Sequence, residues 1–251
     1  MLVLRSLFFN LAFYLNLIVW MIVLLPVLLG PRPLFLAIVK AWARSSLRLL
    51  EVVAGTKVEI VGRENIPPGG LLVAAKHQSF WETFTLFTVF SEATYILKRD
   101  LMWIPLFGWY LAKAGCVPID RRAGSLALVK MNAEAREAVR KGRQIVIFPE
   151  GTRRPAGAPP AYKYGVAHLY ENLGVPCVPV GLNSGLYWPR RSFLRRPGTI
   201  RIEIGKPIPA GLPRDEFFPQ VQAVIEESSG RLLALGRAEL GLDAPTTTAS
   251  A

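Results

Sequence analysis

An imidazole and a carboxylate stand close together in the run Lys76-His77-Gln78-Ser79-Phe80-Trp81-Glu82, the most chemically loaded stretch of the chain. Histidine is the side chain best suited to removing a proton from a hydroxyl near neutral pH. A carboxylate beside it fixes the ring tautomer and stabilises the imidazolium that forms. The sequence holds only two histidines, and one of them is here. Glu82 has a second reading, because Ser79-Phe80-Trp81-Glu82 also fits the capping box that opens a helix. The two roles are compatible.

Position favours chemistry. The apolar run 70–75 suits a buried strand and residues 80–90 suit a helix, so His77 falls in a loop at a strand's carboxyl end, where open α/β sheets bind ligands. Phe148-Pro149-Glu150-Gly151-Thr152-Arg153 leaves the expected strand 144–148 in the same way. Glu150 can accept hydrogen bonds from hydroxyls, Gly151 permits close backbone approach, and Arg153 offers a planar fork matched to phosphate. Further cations follow or open such loops in Leu97-Lys98-Arg99-Asp100 and Ile119-Asp120-Arg121-Arg122. Taken singly, each is more simply a solvated turn charge. Together they describe a site that holds an anionic headgroup while a base works on a hydroxyl. His168, on an expected helix, reads as a packing or surface residue.

The elements that must position these groups follow from the hydropathy pattern. Strands are expected at 57–61, 71–75, 93–97, 116–119, 144–148, 177–182 and 200–204. Helices are expected at 80–90, 104–112, 125–141, 164–173 and 215–235, an alternation that marks an α/β domain over 55–241. Residues 1–54 read differently. No charge occurs from Leu7 to Gly30, a length that can span or deeply enter a bilayer. The run exceeds the apolar core of a signal peptide, and Pro31-Arg32-Pro33 follows in place of a small-residue cleavage site, so a retained anchor is expected. Residues 34–54 mix Lys40, Arg44 and Arg48 with apolar residues as an amphipathic second helix, completing a membrane-binding hairpin. Residues 242–251 read as a disordered tail.

Composition agrees. The 251 residues are 51% hydrophobic and carry a formal net charge of +12, with a mean hydropathy of +0.32. An anionic partner is implied, and without a nucleic-acid signature the membrane is favoured over nucleic acid. Cys116 and Cys177 lack metal-like spacing and read as buried free thiols in a reducing compartment. Tyr187 to Arg196, with two aromatics followed by four arginines and Phe193, is either a solvated loop or a surface for anionic lipid or an acidic carrier protein.

The ordered set His77 to Glu82, Lys98 to Gly108, Ile119 to Arg122, Phe148 to Arg153 and Val175 to Val180 resembles the four blocks of the glycerolipid acyltransferases, specifically bacterial 1-acyl-sn-glycerol-3-phosphate acyltransferases. The resemblance runs from about Gly55 to Ile208. It implies a mixed, mostly parallel sheet flanked by helices, with an N-terminal two-helix membrane motif. It further implies that His77, oriented by Glu82, deprotonates the sn-2 hydroxyl of a lysophosphatidic acid, which attacks an acyl thioester of acyl carrier protein or coenzyme A. Glu150 and Gly151 would bind the glycerol region of the acceptor, Lys98, Arg121 and Arg153 would hold its phosphate, and Thr152 would be a further substrate-binding residue. Lys163 and Gly165 resemble a Lys-x-Gly that often follows the Phe-Pro-Glu-Gly-Thr-Arg block. No metal or other cofactor is implied, and the expected location is the inner membrane with the catalytic domain facing the cytoplasm. One departure stands out: the first block usually ends in Asp, and here it ends in Glu82. Alternatives are a different lysolipid acceptor such as a lyso-ornithine lipid, a hydrolase that directs water at the same thioester, and a catalytically impaired lipid-binding protein.

Overall fold

The computed structural model describes residues 1–120 and 124–242. Seven strands, β1 (Thr56–Val61), β2 (Leu71–Ala75), β3 (Ala93–Lys98), β4 (Val117–Ile119), β5 (Gln144–Ile147), β6 (Cys177–Leu182) and β7 (Gly198–Ile204), form one sheet in the order β1-β7-β6-β2-β5-β3-β4. Every neighbouring pair is parallel except β6 and β7. Central β2 is buried at all five positions, as a strand covered on both faces must be. Its side chains alternate between two cores: Leu71, Val73 and Ala75 join one, Leu72 and Ala74 the other. The mixed, helix-flanked sheet expected from the sequence is the one observed.

Helices α1 (Leu2–Val27), α2 (Arg32–Leu49), α3 (Trp81–Val89) and α4 (Phe107–Ala114) belong to the first face. Helices α5 (Gly124–Arg140), α6 (Gly165–Leu173) and α8 (Arg214–Glu239) cover the second, and the single turn α7 (Ser184–Tyr187) follows β6. Three segments differ from expectation. The helix expected at 104–112 starts later, behind a 3-10 turn at Arg99–Trp103, because Pro105 keeps the preceding Ile104 in an extended conformation. The second hairpin helix ends at Leu49 and closes through a π turn at Leu50–Ala54. Helix α8 runs past Gly230 and Gly236; a Cβ at Gly236 would come within 2.7 Å of Leu186, so this glycine allows close packing rather than ending the helix. Arg121 and Arg122 and, from residue 243 on, the expected disordered tail lie outside the described residues.

Ser6, Asn10 and Asn16 of α1 turn back toward protein. The Ser6 hydroxyl accepts the Arg195 N–H at 2.9 Å, and Asn10 donates to the Phe193 carbonyl at 2.7 Å. Asn16 bonds Ser45 and Ser46 of α2 at 3.0 and 3.1 Å. Phe9 and Phe13 pack edge-on against Trp188, and the Tyr110 hydroxyl of α4 donates to the Met21 carbonyl at 2.7 Å. The opposite face, including Leu4, Leu7, Leu11, Leu15, Ile18 and Ile22, is exposed. The aromatic and basic loop at 187–196 is therefore a clamp on α1. Arg195 lies over the Trp188 ring and bonds Asn10, with burial pushing its pKa down to about 10.

Gly108 lets α4 start against the 3-10 turn, since a Cβ there would lie 2.0 Å from the Met102 carbonyl oxygen. Gly108→Ala is expected to cost about 1–3 kcal/mol through backbone overpacking. That corresponds to a melting temperature lower by several degrees. An unchanged thermal midpoint would show that the turn relaxes without strain.

Candidate active site

Glu82, in the first turn of α3, is fully buried. Its Oε1 accepts the backbone N–H groups of Gln78 and Ser79 at 2.6 and 2.7 Å and meets His77 Nδ1 at 2.9 Å. One carboxylate thus shapes the turn into the helix and orients the imidazole, so both readings of this residue hold in the geometry. Its second oxygen accepts the Ser184 hydroxyl at 2.8 Å. With the acceptor on the Nδ1 side, that nitrogen carries the proton and Nε2 keeps a free lone pair. The His77 ring stacks on Phe148 at 3.9 Å between centroids, nearly parallel.

The loops after β2 and β5 are joined directly. The His77 carbonyl accepts the Arg154 N–H at 2.8 Å, and Gln78 Oε1 accepts the Gly185 N–H at 3.0 Å. Gly151 adopts φ +67°, a conformation open to glycine at little cost. Its N–H closes a turn onto the Phe148 carbonyl at 2.9 Å, so it is not free to meet a developing oxyanion.

A cavity of about 500 Å³ straddles this end of the sheet. Much of its wall is apolar, with residues that include Trp42, Phe84, Phe87, Tyr95 and Leu111. His77, Phe148 and Gly151 also line it, together with three cationic side chains, Lys98, Arg153 and Lys163. Trp42 comes from α2, so the N-terminal hairpin builds part of the cavity. Among the described residues, the side chains of Arg153 and Lys163 make no polar contact with protein, whereas Lys98 pairs with Asp100. Cys116 is a further wall residue, but burial pushes its thiol up to about 11. It is neutral at pH 7 and a poor nucleophile.

Of the residues singled out in the sequence, His77, Lys98, Gly151, Arg153, Lys163 and Gly165 reach the cavity. Glu150 lies behind it, 2% exposed, and Thr152 is exposed outside its lining. His168 is remote from this constellation, with Nδ1 2.8 Å from Arg214. Sequence reasoning missed Ser184, the stacking of Phe148, and the partners of Lys76. Asn183-Ser184-Gly185, a small polar triplet at the end of the apolar strand β6, was a usable signal for the first.

Residues 57–183 match the profile of the family described as Acyltransferase. A 1-acyl-sn-glycerol-3-phosphate acyltransferase of Pseudomonas aeruginosa is 41% identical over 168 residues, covering 67% of this chain and 65% of that protein. A chloroplastic 1-acyl-sn-glycerol-3-phosphate acyltransferase of Brassica napus is 31% identical over 195 residues, covering 76% and 55%. The chain therefore spans less than two thirds of the length of either relative. Among solved structures, the 1-acyl-sn-glycerophosphate acyltransferase PlsC from Thermotoga maritima superposes with a TM-score of 0.78 at 26% identity, over 92% of this chain and 98% of that one.

Ser184→Ala leaves a buried Glu82 oxygen without its donor, at a cost of about 1–3 kcal/mol. The expected result is a fall of several degrees in the thermal midpoint. A midpoint equal to the parent's would mean that Ser184 does not hold Glu82.

Proposed function

Because the chain belongs to the Acyltransferase family, we propose that it is a membrane-bound enzyme that moves an acyl chain from acyl carrier protein or coenzyme A to the sn-2 hydroxyl of 1-acyl-glycerol-3-phosphate, giving phosphatidic acid. One observation carries the proposal: His77, paired with Glu82 at 2.9 Å, lines a cavity whose wall combines many apolar side chains with the cations Lys98, Arg153 and Lys163. The apolar part of the lining suits an acyl chain, and Arg153 and Lys163 suit a phosphate.

In this reading His77 Nε2 takes the proton of the acceptor hydroxyl as its oxygen bonds to the thioester carbonyl carbon. The C–S bond then breaks, and the imidazolium returns its proton to the departing thiolate. Glu82 keeps the imidazole in one tautomer throughout and offsets its transient charge. Direct transfer needs no acyl-enzyme, which agrees with the neutral Cys116 thiol. Arg153, with Lys98 and Arg121 as further cations, holds the acceptor phosphate. Gly151 and Thr152 shape the approach to its glycerol, and Glu150 fixes the loop from behind.

The membrane reading rests on α1, 26 residues long with a mean hydropathy of 2.2 over its most apolar window. Its exposed apolar face meets lipid while its polar face stays on the protein. Trp103 and Trp109 are also exposed, and Leu101 and Phe107 beside them line the cavity. Aromatic residues of this kind suit a membrane interface. An insoluble acceptor would then enter without leaving the lipid, on the cytoplasmic side of the inner membrane where carrier thioesters are found.

The test is transfer from labelled thioesters by protein reconstituted in vesicles, with lysophosphatidic acid and a lyso-ornithine lipid as competing acceptors. Phosphatidic acid as the main product is expected; free fatty acid alone, or product from the other acceptor only, would overturn the assignment. His77→Ala should reduce turnover by about 10²–10⁴-fold. Arg153→Ala should raise KM for the phosphorylated acceptor roughly tenfold or more, with kcat largely kept. An unaltered KM would remove Arg153 from the phosphate site.

A further inference from the structure

Lys76 is one of the most buried charges in the molecule, 3% exposed, one residue before His77. Strand side chains alternate, so Lys76 continues the parity of Leu72 and Ala74 and turns to the α8 side of the sheet, while His77 turns to the cavity. The Lys76 ammonium lies 2.6 Å from Glu226 Oε1 on α8 and 3.2 Å from Glu150 Oε1, and 5.5 Å above the Tyr162 ring. The Tyr162 hydroxyl donates to the same Glu226 oxygen at 2.7 Å. Burial and Glu226 push that phenol far up, so it stays a donor at any physiological pH. The Ala161 N–H reaches Glu150 Oε1 at 3.4 Å, and the Lys76 N–H donates to the Val180 carbonyl at 2.9 Å. One ammonium therefore joins the end of β2, the loop carrying Phe148 to Arg153, and the C-terminal helix.

A buried ion pair is a poor device for stability alone, because removing charges from water offsets most of the attraction between them. What it supplies is a fixed geometry. The peptide that carries His77 is held from the opposite face of the sheet, and Glu150 is held in the loop whose Phe148 ring stacks on His77. We propose that Lys76 is a positioning residue for His77: with Glu226 as its anchor on α8, it locks the catalytic imidazole and the Phe148–Arg153 loop into one arrangement. The proposal rests on the reading of His77 as the base.

The experiment compares Lys76→Met, Lys76→Arg and Glu226→Ala in the full chain reconstituted in vesicles, with two readouts. The first is kcat and KM for acyl transfer to lysophosphatidic acid. The second is the rate of carbethoxylation of His77 by diethylpyrocarbonate, mapped by mass spectrometry against the chain's other histidine, His168, as internal reference. Lys76→Met is expected to lower kcat by about 10- to 100-fold, the scale of an ångström-level misplacement. It should also raise His77 modification several-fold relative to His168. Lys76→Arg, which keeps the charge, should restore kcat to within about fivefold of the parent. Glu226→Ala should act in the same direction as Lys76→Met but less strongly, and it carries the test if Lys76→Met does not fold. Parent-like kcat and an unchanged modification ratio would overturn the proposal. So would equal rises at His77 and His168, which signal general loosening. If the parent itself transfers no acyl chain, the assigned reaction fails, and the modification ratio alone decides whether Lys76 positions His77.

Discussion

The Glu82 carboxylate has no contact with water, and four groups converge on its two oxygens: two backbone N–H groups, the His77 ring and the Ser184 hydroxyl. A buried charge persists only where such partners are supplied, and here supplying them is what builds the site. The Gln78 and Ser79 donors turn the chain sharply from β2 into α3. Ser184 brings the end of β6 against that turn. The His77 ring is left with one nitrogen committed and one available. Lengthening the usual Asp to Glu is accommodated because the same oxygen reaches back to the turn and across to the imidazole.

That turn works only at a place where several strands end together. β2 lies between β5 and β6, so the loops leaving all three come out side by side, and backbone hydrogen bonds from Arg154 and Gly185 join them. The parity of β2 then divides labour between neighbours in sequence, with His77 facing the cavity and Lys76 facing α8. A helix that contributes nothing to the cavity wall becomes part of its support.

Much of this was legible in the sequence. All seven strands were marked by short apolar runs, and His77, Glu82, Gly151 and Arg153 by their placement after them. What escaped depended on contacts distant in sequence. Ser184 meets Glu82 across 102 residues, and Lys76 meets Glu226 across 150; local pattern cannot encode either. The early end of α2 and the late start of α4 reflect a π turn and a proline whose effects depend on neighbouring segments. The arginine-rich loop was ambiguous for the same reason: Arg195 looks solvated until Asn10 and Trp188 are brought to it. Ser6, Asn10 and Asn16, polar residues in and just before the apolar run 7–30, attach that run to the domain through partners far away in sequence.

Those attachments constrain how the molecule can meet a bilayer. A helix crossing a membrane alone would bury Ser6, Asn10 and Asn16 in hydrocarbon, at a cost of several kcal/mol for each unpaired polar group. Here each already has a protein partner, on a helix held by the 187–196 loop at one end and by Tyr110 of α4 toward the other. Moving α1 away from the domain to span the bilayer would forfeit those bonds and the packing of Phe9 and Phe13 on Trp188. Keeping it in place leaves a single apolar face to be covered by lipid. Because Trp42 of α2 walls the cavity, a bilayer that covered this face under the proposed function would lie at a depth set, relative to His77, by the same contacts that hold the two helices on the domain.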